Sequence, residues 1–576
     1  MSSKNPHEIT PRFKAFIISI LERGKLSKTT ITTLTDKESM VVFRKAFTHA
    51  GYDAEFNYEF LEFRGDVVVN RAIVEYIRTR FPKVVSVKWL TKLKHNLASK
   101  TILAQIATRG DFQTQINYGR DISDLIRAGR YHENVEYLSM MEDTFEAMAG
   151  AVVQVVDDKY RHGVGYAVAY SIIASFFDDM TISLKWEDVF DAKSRLKELY
   201  DQYKWVIDQS ISTRPAKGRT NQLFSVITGY PRGDRTRKPE NKEVIGKGVG
   251  ATSQLAQEAA AEKALVTLKR KYRIEENIPD PYAEVDPSGP EETPVPPPKI
   301  PAGFKEFIRD MLKRARVEED VIDIFTDEDA LFEFRMSLVD KTYDPYINQE
   351  LFKLSGVTIV DLGVAEYLGM RFPRIVSEKW LTNIKHNIVS QGAFAEFAKV
   401  SGLEKFVLYG DEMQENIERH PDLTRNTEYL KMLESSFKAF MGALVYVVDS
   451  RRRRGVGYAT SFNLLASFLN TLPISIDYTD VFDHKSRLKE LFDKYRWHLD
   501  RSISVDYDTD RSVHVATIVG YPKGNKRRDP RNEVVLGTGE GRTKKEAEQD
   551  AAEKAIRLLD RPYNIREIPP DPYQLC

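Results

Sequence analysis

The sequence predicts a mainly helical protein carrying two small α+β modules, in which one design is built twice along the chain. Three observations predict this. Residues 80–99 (RFPKVVSVKWLTKLKHNLAS) return as 371–390 (RFPRIVSEKWLTNIKHNIVS), with thirteen of twenty positions identical at an offset of 291. Further strings return in the same order: RHGVGYAVAYSIIASF (161–176) as RRGVGYATSFNLLASF (453–468), and VFDAKSRLKELYDQYKW (189–205) as VFDHKSRLKELFDKYRW (481–497). Within each half, apolar residues first recur at helical spacing and then give way to short alternating stretches.

The elements follow in chain order. Helical periodicity runs through 56–77, 89–107 and 140–156. A helix at 193–205 then leads into alternating stretches at Leu223–Gly229 and 243–246, and an alanine-rich helix follows at Ser253–Tyr272. The order α-β-β-β-α marks a separate small domain. The expected divisions are a helical domain at 10–182, a small domain at 188–275, a linker at 276–302, a second helical domain at 303–474, a second small domain at 480–562 and a tail at 563–576. The linker contains PSGPEETPVPPPKIP, acidic and proline-rich, which reads as a semi-stiff extended tether. The tails echo each other too, NIPDPY (277–282) against IPPDPY (568–573).

Composition narrows the function. With 42% hydrophobic and 30% charged residues the chain reads as soluble and globular, and no apolar run approaches the ~20 residues that span a bilayer. The polar start lacks the apolar stretch of a signal peptide, so an intracellular protein is expected. Cys576 is the only cysteine, which leaves neither an intrachain disulfide nor a cysteine zinc site. The net charge is zero, so any basic surface for nucleic acid must be local.

The acids of the first half carry the chemistry. In NYEFLEFRGDVVVN (57–70), Glu62 and Asp66 lie four apart and Glu59 three before Glu62, all on one side of a helix. In MMEDTFEAMAGAV (140–152), Asp143 and Glu146 again share a face, while Phe145 and Ala149 point inward. Carboxylate pairs on facing helices can hold hard divalent cations through oxygen. The same spacing also suits solvated acids on a helix surface.

FTHAGYDAEFNYEFLEFRGDVVVNRAIVEYI (47–77) resembles the signature helix of the ribonuclease III family, whose core reads NERLEFLGD, and EDTFEAMAGAVV (142–153) resembles its second acidic motif. The resemblance implies an all-helical nuclease domain that cleaves double-stranded RNA with Mg²⁺, or Mn²⁺ as the alternative ion. It implies that Glu62, Asp66, Asp143 and Glu146 are the catalytic metal ligands, with Glu59 at an additional acidic position. Arg64 departs from the family's aliphatic residue, and either a phosphate or a neighbouring acid would suit it.

The second half has lost these acids. Aligning LEFRGD (61–66) with FKLSGV (352–357) sets Lys353 and Val357 against Glu62 and Asp66. Aligning EDTFEA (142–147) with ESSFKA (434–439) sets Ser435 and Lys438 against Asp143 and Glu146. An ammonium offers a metal no lone pair and repels it. This half is therefore expected to be inactive, its lysines steadying Glu350 and Glu434. His95 and His386, one in each half, are expected to hold structural hydrogen bonds.

The small modules resemble double-stranded-RNA-binding domains. GTGEGRTKKEAEQDAAEKAI (537–556) keeps the family's lysine-rich helix start, so Lys544 and Lys545 stand where that family contacts phosphate, with Glu548 replacing a third lysine. In GKGVGATSQLAQEAAAEKAL (246–265), Ser253, Gln254 and Gln257 occupy those positions, which implies a weaker grip. Glu198 and Glu490 match a family position that reads minor-groove 2′-hydroxyls. By resemblance, the two nuclease-like domains pair within one chain as a pseudo-dimer and nick one strand of duplex RNA; two chains forming a homodimer would be needed for paired cuts. The rival reading is a non-catalytic binder that shields or displays duplex RNA.

Overall fold

The computed structural model describes residues 8–129, 134–203, 211–216, 222–230, 240, 242–282, 298–345, 347–390, 392–495, 503–509, 511–520, 533–561 and 563–573. Cys576, the start of the chain and most of the proline-rich tether lie outside them. The chain is mostly helical, with two three-stranded antiparallel sheets ordered β1-β2-β3 and β4-β5-β6 along the sequence. In the first sheet β1 is Ile211–Pro215, β2 is Leu223–Gly229 and β3 is Glu243–Gly250; in the second β4 is Ile503–Asp508, β5 is Val513–Gly520 and β6 is Val534–Gly541. Each central strand slips register against its third strand at the same place, Ile227/Thr228 and Ile518/Val519.

Two long helices form the heart of each helical domain. In the first half they are Glu59–Arg80 and Val135–Lys159; in the second, Glu350–Arg371 and Thr427–Arg451. The start of Val135–Lys159 is fixed by Asn134, whose side chain accepts from the backbone N–H groups of Glu136 and Tyr137 at 2.9 and 3.1 Å. The helices cross in near backbone contact. A methyl built on Gly65 would stand 1.7 Å from the Glu146 carbonyl oxygen, and one on Gly150 would stand 2.1 Å from that of Leu61. Gly356 and Gly442 repeat this in the second half, at 1.7 Å from Lys438 O and 2.1 Å from Phe352 O.

The periodicity at 89–107 is two helices, not one: Val87–Leu97 and Lys100–Arg109. Ser99 takes an extended conformation (ψ 143°) between them, so the apolar pattern continues while the backbone turns. The helix expected at 193–205 is Ala192–Gln202, and Trp205 lies outside the described residues. The repeated tails act as straps. Pro281 O accepts from the Val85 and Ser86 N–H groups at 3.2 and 3.4 Å, and Pro572 O accepts from those of Val376 and Ser377 at the same distances.

One apolar core runs through both helical domains, while each small domain has its own. Where the halves meet, the Arg71 guanidinium sits between the rings of Tyr166 and Tyr458, 3.9 and 4.1 Å from their centroids. Arg454 Nε lies 2.8 Å from Glu75 Oε1, and Arg78 Nη1 donates to Ser355 Oγ at 2.7 Å. No helix among the described residues is long and apolar enough to cross a membrane.

Because backbone, not a flexible side-chain end, blocks the space beside Gly65, Gly65→Ala is expected to destabilise the protein by about 3 kcal/mol in denaturant unfolding. Gly369 has open space around its Cβ position within a helix, so Gly369→Ala is expected to stabilise by up to about 1 kcal/mol in the same assay.

Candidate active site

The glycine-mediated crossing sets acids of one helix against acids of the other. One carboxylate oxygen from each of Glu62, Asp143 and Glu146 lies within 4.8 Å of the other two. Glu146 is buried, and the other two are half-buried. Asp66 lies on the same side of the crossing and acts electrostatically on Glu146, but its Oδ1 accepts from Asn70 Nδ2 at 2.6 Å and it stands outside the cluster of three. Glu59 is half-buried one turn before Glu62.

Crowding of like charges away from water raises the proton affinity of this cluster. Burial first, then Asp143, Glu378, Glu59 and Asp66, push Glu62 up to about 9. Burial and the neighbouring Glu142 push Asp143 up to about 7, opposed by the hydroxyl of Tyr58 and the charge of Lys100. Glu146 is held well above the carboxylate range, by burial and then by Asp66. Oxygen-only donors at this density suit a hard divalent cation, whose charge would relieve the repulsion.

Three residues of the site escaped sequence reasoning. Glu378 belongs to the second half, yet its charge raises the proton affinity of Glu59, Glu62 and Asp143. Its counterpart in the first half is Val87, so SVKW against SEKW already held the signal: a carboxylate gained in the half that loses four others. Tyr58 is buried and its hydroxyl donates to Asp143 Oδ2 at 3.2 Å. Lys100 Nζ lies 3.2 Å from Glu142 at the edge of the cluster.

The sequence comparisons with known proteins agree with this geometry. The family model for the ribonuclease III domain matches residues 59–156, which begin at Glu59 and contain every acid of the cluster. That for the double-stranded RNA binding motif matches residues 484–559. A ribonuclease 3 relative from Invertebrate iridescent virus 6 is 34% identical over 284 residues, covering 46% of this chain and 91% of the relative. This chain belongs to the ribonuclease III family. It is a ribonuclease III-like endoribonuclease. Ribonuclease 3 of Bacillus cytotoxicus is 27% identical over 265 residues, 45% of this chain and 95% of that protein. The nuclease domain of ribonuclease III from Campylobacter jejuni aligns with 29% of this chain and 98% of its own at 22% identity, with a TM-score of 0.22.

Against the ribonuclease III pattern, the second half keeps the crossing and replaces the charges. Lys353 Nζ lies 3.0 Å from Glu350 and Lys438 Nζ lies 2.5 Å from Glu434, so each lysine pairs with an acid on its own helix. Val357 and Ser435 stand half-buried beside them. Arg64 leaves the acid cluster altogether and faces the seam between the halves, where its charge acts on Glu366 of the second half and His162 of its own. His95 and His386 are exposed and hold no hydrogen bond among the described residues. The structural bond expected of them falls to their neighbours: Asn96 donates to Val189 O at 2.9 Å and Asn387 to Val481 O at 3.1 Å, tying each nuclease-like domain to the segment that follows it.

In the small domains, Lys544 and Lys545 are exposed at the start of the Lys544–Asp560 helix, which Thr543 and Glu546 close with a reciprocal capping pair. Ser253 and Gln254 are exposed in the first module, where Gln257 accepts from Lys193 at 2.7 Å. Glu198 pairs with Lys88 at 2.6 Å and Glu490 with Lys379. Both thus face the nuclease-like domain of their own half in this arrangement.

The pH dependence follows with a definite sign. Glu62 and Asp143 bind protons more tightly in the folded protein than in the unfolded chain, so metal-free stability is highest at low pH in this respect. It is lost as pH rises from the ordinary carboxylate range through about 7 and about 9. A divalent cation competes with those protons. Mg²⁺ is therefore expected to raise Tm more at pH 8.5 than at pH 6, and to release protons on binding, measurable by calorimetry in buffers of different ionisation heat.

Proposed function

We propose that this chain cleaves double-stranded RNA at one working site, seated in its first half and completed by Glu378 from its second. The observation that carries this reading is the pairing of a convergent acid cluster at Glu62, Asp143 and Glu146 with lysines at the matching second-half positions 353 and 438. Glu62, Asp143 and Glu146 would hold the cation, Mg²⁺ or alternatively Mn²⁺, and Asp66 would join them by exchanging its Asn70 bond. When bound, such an ion supplies Lewis acidity toward the phosphodiester and offsets the charge of the acids.

The chain's own residues then do the remaining work. Tyr58 fixes the carboxylate of Asp143, and Lys100 draws Glu142 to the edge of the cluster. Glu59 and Glu378 add negative charge from opposite halves, which makes the site depend on the halves being packed together. The packing around Arg71, Tyr166 and Tyr458 supports an intramolecular pseudo-dimer of the two nuclease-like domains, occupying positions that two separate chains fill in a homodimer. Lys544 and Lys545 supply the local positive surface that a chain of zero net charge needs to meet phosphate. Tethering keeps the stronger RNA grip of the second half near the acids of the first.

One working site implies one cut strand per encounter. With duplex RNA labelled separately on each strand, the monomer is expected to nick in Mg²⁺, and Glu146→Gln and Asp66→Asn are each expected to abolish nicking without abolishing binding. Paired cuts by a confirmed monomer at limiting enzyme would overturn the single site. Glu378→Gln is expected to slow nicking by roughly ten- to a hundredfold, the range for groups that surround a metal site without being its main ligands. An unchanged rate would remove the second half from the site.

A further inference from the structure

The two halves leave a cleft of about 520 Å³ between them. It lies on the face of Glu350–Arg371 that carries Leu351, Ser355 and Thr358, away from the side of that helix bearing Glu350 and Lys353. Three arginines converge on it: Arg71 and Arg78 from the first half and Arg454 from the second. The acids present are Glu75, which takes Arg454 at 2.8 Å and the Tyr166 hydroxyl at 2.7 Å, and Asp449, which accepts the Gly457 N–H at 2.7 Å. The formal charge of the lining is therefore +1.

The internal repeat supplies a control. The cleft at the corresponding positions of the repeat is smaller, about 260 Å³, and its charged and titratable lining is Arg64, Asp157, Asp158, His162 and Glu366. With His162 neutral, its formal charge is −2. Leu362, Gly369 and His162 occupy the positions of Arg71, Arg78 and Arg454. Three arginines thus line this cleft where the corresponding one holds Arg64 alone, and the excess positive charge belongs to one cleft only.

A second observation points to a missing acceptor. Arg71 is 3% exposed, and its Nη1 has no hydrogen-bond partner among the described residues although it lines the cleft. A buried guanidinium N–H without an acceptor is costly, and an anion is its natural complement. Beside the arginines the cleft turns apolar, with Leu351, Ile359, Phe81 and Pro82, and Tyr446 is 44% exposed at its edge.

We propose that this cleft binds an organic phosphate monoester of nucleotide size, its phosphate among Arg71, Arg78 and Arg454 and its flat ring against Tyr446. Arginine forks suit a phosphate with several free oxygens, the exposed tyrosine ring suits stacking, and the volume fits a small ligand. The inference rests on the packing of the halves invoked for the nuclease, but on none of the nuclease acids.

The test is calorimetric titration of the full chain, without RNA, using adenosine 5′-monophosphate in buffer containing EDTA so that no divalent ion can bridge phosphate to the acid cluster. One molecule per chain is expected to bind. Arg71→Leu and, more conservatively, Arg78→Gln are each expected to weaken binding about tenfold or more. The double variant Lys544→Ala, Lys545→Ala is expected to bind as the wild type does. Inorganic phosphate is expected to bind at least about tenfold more weakly, since it leaves the tyrosine wall unused. No binding at millimolar ligand, or binding lost with the lysines and kept in Arg71→Leu, would overturn the site. Equal affinity for inorganic phosphate would overturn the nucleotide-sized ligand. If binding fails while Glu378→Gln still slows cleavage, the cleft assignment alone is wrong; if both fail, the packing of the halves is.

Discussion

The candidate site depends on two helices touching backbone to backbone. Gly65 and Gly150 remove the side chains that would otherwise hold Glu59–Arg80 and Val135–Lys159 apart, and only that approach brings Glu62 within ligand distance of Asp143 and Glu146. The acids pay for this proximity in raised proton affinity, since each is desolvated beside the others. A hard divalent cation would offset such a cluster. Crossing, crowding and metal demand are successive consequences of one steric fact.

The second half shows the same steric fact without its chemical purpose. Gly356 and Gly442 preserve the crossing, and the shared apolar core continues across both halves, so the fold persists where the four carboxylates do not. Lys353 and Lys438 settle Glu350 and Glu434 by direct pairing, so the positive charge there comes from the chain itself. Specialisation also runs across the interface: Glu378 reaches toward the intact site, while its counterpart Val87 brings no charge to the lost one.

Much of this was legible in the sequence because it is local. Helix spacing alone sets Glu62 beside Asp66 and Asp143 beside Glu146, the repeat fixes the order of elements, and Lys for Glu at 353 and 438 replaces an oxygen donor with an ammonium at those positions. What was not legible is tertiary. Nothing in the pattern at 89–107 marks the turn at Ser99, because apolar spacing survives it. Arg64 offered a phosphate or an acid, and packing against the other half decides that it faces Glu366. Asp66 was grouped with the other three, yet the local Asn70 amide holds its carboxylate aside. Glu198 and Glu490 matched an RNA-reading position, and only the docking of each module reveals Lys88 and Lys379 against them.

A crystal of the full chain soaked in Mn²⁺ and measured at the manganese absorption edge tests the single site most directly, because anomalous scattering locates the ion independently of activity. Manganese among Glu62, Asp143 and Glu146, with none beside Lys353 and Lys438, is the expected result. Equal peaks in both halves, or none in the first, would contradict a chain in which one half holds the cation and the other has replaced it with its own lysines.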